Sequence, residues 1–457
     1  MFALWLKFPF STLCELSLPS ESRDRKSLMS IEVTVQPFQP SGSLPRARTI
    51  LFTVFGFVLL FLFCSPNFQS GSEFRATPLG SDFLQEWTGG YIWLNHRADL
   101  YDAERFVAMQ HDPAIVGFGW PHEQYYPMVY PPFYYMLLSP LAKLPYAWAL
   151  TIWILAIGGA IAATLCLWAR FYPAAQSHWG KCLLATLAFF PLLMCFNTAH
   201  KSTFLLLILT GTYLLLYHRK PFASGALFGL IAFKPHLGLV IGIAMLLKRQ
   251  WNFVAGCAVT VATLLFLSLL AGWDLCQAYF WQCLSMSDYS STSGYLLTES
   301  HNLIGAAGLL FGTDSTFGVI VFWVMAAGLM AIVGFGMKGS IQTDSKRFAL
   351  QFSMLVIATV LLSPHFYVYD LTILLLPIGL VVFELGKWQG RRTLNWQRQW
   401  LLASCLGLFV FTGLSKRVAE VIGVQPTVLL LIVAAVLLAT SPNWYDTEED
   451  RSCVTAA

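Results

Sequence analysis

Long apolar runs recur along almost the whole chain, and charged residues are concentrated in the short stretches between them. Only 11% of the 457 residues are charged and 56% are hydrophobic, whereas a soluble domain carries about 25% charged residues. A helix of about 20 apolar residues can cross a bilayer because it satisfies its own backbone hydrogen bonds. The pattern therefore predicts an all-α polytopic membrane protein surrounded by a lipid bilayer. No basic run suggests nucleic acid.

The apolar runs predict about twelve spans. Arg46 and Arg48 precede the first run, later basic residues fall in alternate turns, and residues 272–316 contain no Lys or Arg. By the positive-inside rule, both termini are cytoplasmic, and the two large loops, about 65–131 and 272–316, are extracytoplasmic. The spans are predicted near 49–64, 147–169, 182–197, 203–217, 222–234, 236–247, 252–271, 317–337, 348–363, 371–386, 400–414 and 425–440.

The chain outside these spans divides into terminal segments and loop elements. Residues 1–48 are predicted to be a cytoplasmic N-terminal segment, with Met29 as an alternative start, and residues 441–457 a cytoplasmic tail; residues 49–440 form the membrane domain. In the first outer loop, the segments near 82–96 and 102–110 are predicted to be helices lying along the membrane surface. The stretch 133–144, which follows this loop, is predicted to be re-entrant or interfacial.

Cys276 and Cys283 both lie in the predicted second outer loop, so a disulfide between them must be considered. If Cys276 and Cys283 share one helix, seven residues separate them by about 10 Å along the axis, beyond the limit of about 7 Å for a disulfide. No disulfide is therefore predicted between them.

With this topology, unusual polar residues collect at the outer ends of spans. Such residues are candidates for function, because ionisable groups at membrane depth are energetically costly. The clusters are Asp82, Gln85 and Glu86; Tyr130-Pro131-Pro132; Asn197 to Lys201; Lys234-Pro235-His236; Ser300-His301-Asn302; and Ser363 to Asp370.

Asp82 is predicted to act as a general base that takes a proton from an acceptor hydroxyl. An equally open alternative is that it is a helix-capping acid, since Asp favours the first turn of a helix. Glu86, four residues on, shares a helix face with Asp82, and a like charge so close can raise the pKa of one of them. The local pattern favours an ordinary exposed acid for Glu86, with substrate binding as the alternative.

Lys201 and Lys234 are candidates for binding a phosphate and stabilising a leaving group. Lys234 is the stronger candidate, because it interrupts an apolar run beside Pro235, and a span broken at a charge often lines a polar cavity. The alternative for both is a lysine whose ammonium reaches towards the membrane surface.

The histidines and aromatic residues of these clusters are candidates for contacts with a sugar. No HxH or HExxH spacing is present, so no metal is predicted, and no cofactor is implied. The aromatic belt of membrane proteins is the alternative for the tyrosines. The predicted substrate-binding set is Glu86, Lys201, Lys234, His236, His301, Asn302, His365, Tyr367 and Tyr369.

The order and spacing of these motifs resemble glycosyltransferase family 87, a family of bacterial membrane enzymes with the GT-C fold. The resemblance covers about residues 49 to 440. It rests on Asp82-Phe83, Gly90-Tyr91, Leu100-Tyr101, Tyr130-Pro131-Pro132, the leucines of 136–144 and 204–208, Gly225 to Lys234-Pro235, Leu246 to Trp251, Ser300 to Gly305, Leu362 to His365, and Tyr369-Asp370.

The resemblance implies a metal-independent, inverting transfer of mannose from a polyprenyl-phosphate donor to a glycan or glycolipid acceptor outside the plasma membrane. It matches the family's catalytic Asp to Asp82, and its late Ser-Pro-His motif to Ser363, Pro364 and His365. The chain departs from the family at His200-Lys201, where Gly-Gln is expected; this bears on the donor contacts. A transporter or flippase of a lipid-linked or anionic solute, with charges at mid-membrane and paired broken spans, and a non-catalytic assembly protein are the alternatives.

Overall fold

The computed structural model describes residues 45–64, 78, 80–121, 126–292, 297–386 and 396–440. The regular elements in these ranges are helices. Met29, the C-terminal tail 441–457, and nearly all of the N-terminal segment lie outside the described residues, as does the basic stretch 387–395.

The α-helices, in chain order, are α1 (Pro45–Cys64), α2 (Ser81–Asn95), α3 (Ala103–His111), α4 (Pro113–Val116), α5 (Pro132–Leu138), α6 (Tyr146–Phe171), α7 (Pro173–Ser177), α8 (Trp179–Leu187), α9 (Phe190–Thr198), α10 (Ser202–Tyr217), α11 (Pro221–Phe228), α12 (Pro235–Leu247), α13 (Trp251–Ala271), α14 (Trp273–Thr292), α15 (Leu303–Phe311), α16 (Thr316–Gly336), α17 (Lys346–Leu362), α18 (Leu375–Gly386), α19 (Trp396–Ile422) and α20 (Pro426–Thr440). Short 3₁₀ helices cover Arg97–Asp99, Leu141–Lys143, Gly229–Phe233, Leu297–Glu299 and Asp370–Leu374.

Four of the described helices, α6, α13, α16 and α19, are long and apolar enough to cross a membrane. The consecutive helices α8 and α9, bent by 56°, provide a fifth span if they are counted together. Each predicted apolar segment coincides with a helix or with consecutive helices, so the all-helical membrane architecture is confirmed. The total of twelve spans and the loop arrangement remain predictions, because α10, α11, α12 and α20 are shorter apolar helices.

Two predicted spans differ from the structure in detail. The run 182–197 is broken where α8 ends and α9 begins, next to Pro191, which lies in the first turn of α9; proline starts a helix readily but cannot continue one. The run 400–414 is the middle of the 27-residue helix α19. The predicted span ends before Lys416 because a charged residue interrupts the apolar run. In the structure the helix continues through Lys416, whose Nζ lies 2.5 Å from Glu299 Oε1.

A helical hairpin surrounds the predicted break at Lys234 and Pro235. α11 ends in the 3₁₀ helix Gly229–Phe233, Lys234 follows, and α12 begins at Pro235. The ring of Phe228 lies beside both Gly238 and Gly242, which are too far along the chain for one straight helix, so the chain turns back here. The structure thus confirms that the apolar run is broken at Lys234.

Glycines allow α11 and α13 to cross in close contact. A Cβ atom on Gly225 would lie 1.9 Å from the carbonyl oxygen of Phe253, and one on Gly256 would lie 2.0 Å from that of Phe222. Close backbone approach through small residues is a common way for helices to associate in membranes. This crossing fixes the base of the hairpin that carries Lys234.

The segment predicted to be the first outer loop contains the two predicted helices, as α2 and α3. The stretch 133–144 forms α5 and a 3₁₀ turn. Residues of these elements, including Ile92, Phe106 and Tyr135, form a second hydrophobic cluster with Leu264 and Leu275. Packing against α13 and α14 therefore holds the loop helices in place. Cys276 and Cys283 are free thiols on the single helix α14.

Candidate active site

Asp82 lies in the first turn of α2, and the residues around Gly80 set the direction of that helix. Gly80 has a left-handed backbone (φ 61°), and a Cβ atom there would lie 2.5 Å from the Leu150 side chain. The Tyr146 hydroxyl donates to the Gly80 carbonyl at 3.2 Å. Only glycine combines this backbone with so little space, so the turn fixes where the Asp82 carboxylate points.

The Asp82 carboxylate is half-buried, and its Oδ2 atom is buried with no hydrogen-bond partner among the described residues. Helix α2 lies outside the candidate membrane spans. Burial raises the pKa of Asp82 to about 7, although the nearby Thr198 hydroxyl and the ammonium groups of Lys201 and Lys234 lower it in part. A carboxylate oxygen with no partner and a pKa near neutrality is suited to accept a proton from a substrate hydroxyl.

Glu86 and Lys201 form a buried ion pair beside Asp82. Lys201 Nζ donates to Glu86 Oε1, and the Tyr134 hydroxyl donates to Oε2 at 2.8 Å. Glu86 is 0% exposed, so the prediction of an exposed acid is wrong. The local pattern failed because the partner of Glu86 lies 115 residues further along the chain, and a buried carboxylate needs such a partner.

The Lys201 side chain is almost enclosed by protein. The whole residue is 1% exposed, and Nζ lies 3.9 Å from the ring centroid of Tyr130 and 5.2 Å from that of Tyr134. Burial lowers the pKa of Lys201 to about 8, and Glu86 opposes this effect. The Glu86 carboxylate and the rings of Tyr130 and Tyr134 thus surround the Lys201 ammonium group. The two ring faces attract this cation through cation–π interactions.

A strained turn between α9 and α10 directs two polar side chains into the site. Ala199 has a left-handed backbone (φ 54°), which costs a residue with a Cβ atom about 1 kcal/mol. The indole N–H of Trp153 donates to the Ala199 carbonyl at 2.9 Å and holds the turn. The residues that follow reach separate partners: His200 lies against Lys234 and Lys201 against Glu86.

Lys234 belongs to a closed ring of polar contacts with His200, Ser202 and Asp370. Its Nζ lies 3.2 Å from His200 Nε2 and donates to Asp370 Oδ1 at 3.1 Å. Ser202 Oγ lies 2.8 Å from His200 Nδ1 and donates to the same Asp370 oxygen at 2.9 Å. Burial and the Lys234 charge hold the pKa of His200 well below its usual range, so the imidazole is neutral. The ring therefore fixes the ammonium group of Lys234 in place.

The predicted aromatic and histidine contacts of the loop after α17 come together in one row. The ring centroids of His365 and Tyr367 are 4.4 Å apart, and those of Tyr367 and Tyr369 are 5.9 Å apart. Tyr369 stacks on His200 at 4.0 Å. Burial and Lys234 lower the pKa of His365 to about 4. The row joins the loop to the charged groups and offers ring faces on which a sugar can pack.

Three other predicted substrate-binding residues have different surroundings. The His301 backbone N–H donates to the Phe366 carbonyl at 2.8 Å, and its Nδ1 lies 2.6 Å from Thr427 Oγ1. Asn302 caps α15 and donates to the Ser363 carbonyl at 2.8 Å. Both residues thus support the loop 363–369. His236 lies in the first turn of α12, and its Nε2 is buried without a hydrogen-bond partner in the described part of the chain.

Sequence reasoning did not include Asp370, Ser202 or Tyr134 among the site residues. Asp370 adjoins the predicted tyrosines in the sequence, but its partner Lys234 lies 136 residues earlier. Ser202 carried no signal, because a serine at the start of a helix is usually a cap. Tyr134 follows the Tyr-Pro-Pro motif and resembles an ordinary interfacial aromatic residue.

The charges of the site form two carboxylate–ammonium pairs and one further carboxylate. Glu86 pairs with Lys201 and Asp370 with Lys234, and Asp82 lies near both lysines. Within the described residues, no group of three or more His, Cys, Asp and Glu side chains is placed to hold a metal ion. The arrangement places a proton acceptor beside cations that can bind an anionic group.

Comparisons with known proteins identify the family. No curated protein and no solved structure matches the chain. The sequence profile of glycosyltransferase family 87 matches residues 128–364, more than half of the chain. This range includes Lys201 and Lys234, and it ends directly before His365. The chain belongs to glycosyltransferase family 87.

Proposed function

We propose that the protein transfers a hexose, mannose in the first instance, from a polyprenyl-phosphate donor to an acceptor hydroxyl at the outer face of the plasma membrane. Membership of the glycosyltransferase family supports the reaction class. The single observation that carries the assignment of the site is the Asp82 carboxylate, whose buried Oδ2 has no partner among the described residues while two ammonium groups lie nearby.

In this mechanism Asp82 Oδ2 takes the proton of the acceptor hydroxyl. The hydroxyl oxygen forms a bond to the anomeric carbon as the bond from that carbon to the phosphate oxygen breaks, and polyprenyl phosphate leaves. A single displacement of this kind inverts the configuration at the anomeric carbon. The proton ends on Asp82, and the electron pair of the broken bond ends on the phosphate, so atoms and charge balance.

Lys234 is the residue proposed to hold the donor phosphate, with Lys201 as the second candidate. Lys234 is the more exposed of the two, at 7% against 1%. Its ammonium group is oriented by Asp370 and lies next to His200. A fixed cation stabilises the charge that develops on a leaving phosphate, and it does so more strongly where water is excluded.

The sugar is proposed to bind between Asp82 and the aromatic row of His365, Tyr367 and Tyr369. His236 completes the proposed polar wall, Glu86 acts through its pair with Lys201, and His301 and Asn302 act through the loop that they support. The acceptor is a glycan or glycolipid.

The test is a transfer assay with purified protein in liposomes, supplied with polyprenyl-phosphate mannose labelled in the sugar. The proposal predicts label in a new glycosidic product, with the anomeric configuration opposite to that of the donor. Movement of intact donor across the bilayer without a product would establish a flippase instead. Products with retained configuration would contradict the single displacement.

A further inference from the structure

The ion pair of Glu86 and Lys201 stands next to Asp82 but differs from the second pair in its access to a ligand. The Lys201 ammonium donates to the Glu86 carboxylate and lies over the ring of Tyr130. The Tyr134 hydroxyl donates to the other oxygen of Glu86. The Lys201 side chain is 2% exposed and the Glu86 side chain 0%. The protein thus satisfies the pair before any substrate arrives.

We propose that the Glu86–Lys201 pair is a positioning element that sets the proton affinity of Asp82 by presenting a balanced charge to it. The inference rests on the proposed role of Asp82 as the base. Glu86 lies one helical turn from Asp82 on the same face of α2, where side chains are neighbours. Lys201 connects this turn to the start of α10.

Both members of the pair act on Asp82, and with opposite sign. Lys201 lowers the pKa of Asp82, and Glu86 raises it. While the two are paired, their effects partly cancel. Removing one charge leaves the other uncompensated, and a single charge within a few ångströms shifts a carboxylate pKa by about 1 unit or more.

The other titratable and charged groups near Asp82 come from helices and loops other than α2. Lys234 is the other cation that lowers its pKa, and Asp370 is bound to that cation. The neutral groups around Asp82 are the phenols of Tyr130, Tyr134, Tyr135, Tyr146 and Tyr369, the Cys195 thiol and the Thr198 hydroxyl. The elements packed against α2 also carry charged residues that are exposed or partly exposed and are not among the causes that shift the pKa of Asp82: Arg97, Asp99, Glu104, Arg105, Lys143 and Arg170. The His111 ring lies between the Val107 and Pro121 carbonyl oxygens. Burial has the largest effect on the pKa of Asp82, and the charged groups that modify it are Lys201, Lys234 and Glu86.

The experiment compares the pH dependence of kcat/KM in single and double variants. In Glu86→Gln, the uncompensated ammonium group favours the ionised base, so the acidic limb moves down by about 1 pH unit. In Lys201→Gln, the uncompensated carboxylate moves the limb up by about 1 pH unit. The double variant, Glu86→Gln with Lys201→Gln, returns the limb to within about half a unit of wild type, since the pair remains neutral.

A matched control uses the Glu299–Lys416 pair, which lies on other elements and is partly exposed. Glu299→Gln removes the same charge and leaves the limb in place. A purely structural role for Glu86 and Lys201 would lower the rate in both single variants without moving the limb, and that result would overturn the proposal. Shifts of both single variants in the same direction would overturn it as well.

Separate controls distinguish a folding defect from a failure of the proposed base. Burying one charge without its partner is costly, so if a single variant fails to fold, the other single variant decides by the direction of its shift. If neither folds, the double variant decides: a limb displaced by more than about half a unit overturns the proposal. If Asp82→Asn still transfers sugar, Asp82 is not the base, and the proposed function of this residue is wrong. If Asp82→Asn is inactive but the acidic limb of kcat/KM does not move in the Glu86 and Lys201 variants, only the proposed role of the pair is wrong.

Discussion

Replacing Asp82 by Asn is expected to stabilise the protein while it removes the proposed base. Burial is the main cause that raises the pKa of Asp82 from 3.8 to about 7, which means that the folded protein disfavours the ionised carboxylate. Asn has nearly the same shape but carries no charge. Stability is therefore expected to be sacrificed at this position for function.

The magnitude follows from the shift in pKa. A rise of about 3 units corresponds to about 4 kcal/mol of destabilisation when Asp82 is fully ionised. Asp82 is only half-buried, so solvent screening reduces this to about 2–3 kcal/mol. An amide nitrogen left without an acceptor costs about 1 kcal/mol in return. The expected net gain at pH 8 is about 1–2 kcal/mol, or about 1–4 °C in Tm.

The sign of the pH dependence is fixed by the direction of the shift. Because the folded pKa is raised, the folded state binds more protons than the unfolded state between pH 3.8 and about 7. The destabilisation by Asp82 is absent at low pH, grows through this window, and is complete above about pH 7. The advantage of Asp82→Asn over wild type is thus greatest at pH 8 and less than half as large at pH 5.

Thermal unfolding of wild type and Asp82→Asn in detergent, at pH 5 and pH 8, measures this advantage. Asp274→Asn is the matched control, because that carboxylate is exposed on α14, and its substitution should change Tm equally at both pH values. An Asn variant that is less stable than wild type at pH 8, or a difference that does not depend on pH, would refute the reasoning.

Two further predictions concern the phosphate contact and the helix crossing. Lys234→Gln is expected to raise KM for the polyprenyl-phosphate donor at least about tenfold, because it removes a charge-assisted contact, while KM for the acceptor changes by less than about twofold; steady-state kinetics with each substrate varied would contradict this if both constants rose equally. Gly225→Ala places a Cβ atom 1.9 Å from the Phe253 carbonyl oxygen, so it should destabilise the fold by about 3 kcal/mol. Gly328→Ala, where nothing lies within 4 Å, should leave Tm unchanged, and equal Tm values for the two variants would show that the crossing is not tight.

The helices were largely predictable because apolar runs and proline carry local signals. The break at Lys234-Pro235 was identified from one charged residue and one proline in an apolar run, and the structure has it. The bend between α8 and α9 was missed because hydropathy continues through it. The end of α19 was missed because the helix extends past Lys416, a charge that is paired across space with Glu299.

The proximity of the proposed site residues could be predicted from the sequence, but the pairing of their charges could not. The polar clusters at the ends of the predicted spans do converge, and Asp82, Glu86, Lys201 and Lys234 lie together. The choice of partners depends on contacts between residues more than 100 positions apart, which no local pattern records. Glu86 was misjudged for this reason, since its burial is explained only by Lys201 and Tyr134.

The measurement that tests the central claim most directly is the rate of sugar transfer by folded Asp82→Asn relative to wild type. The assay uses purified protein in liposomes with labelled polyprenyl-phosphate mannose at saturating concentration. Loss of a general base lowers the rate by about 100- to 10,000-fold, and that loss, in a variant at least as stable as wild type, is the predicted result. Transfer by Asp82→Asn within about tenfold of the wild-type rate would contradict the assignment of Asp82 as the base.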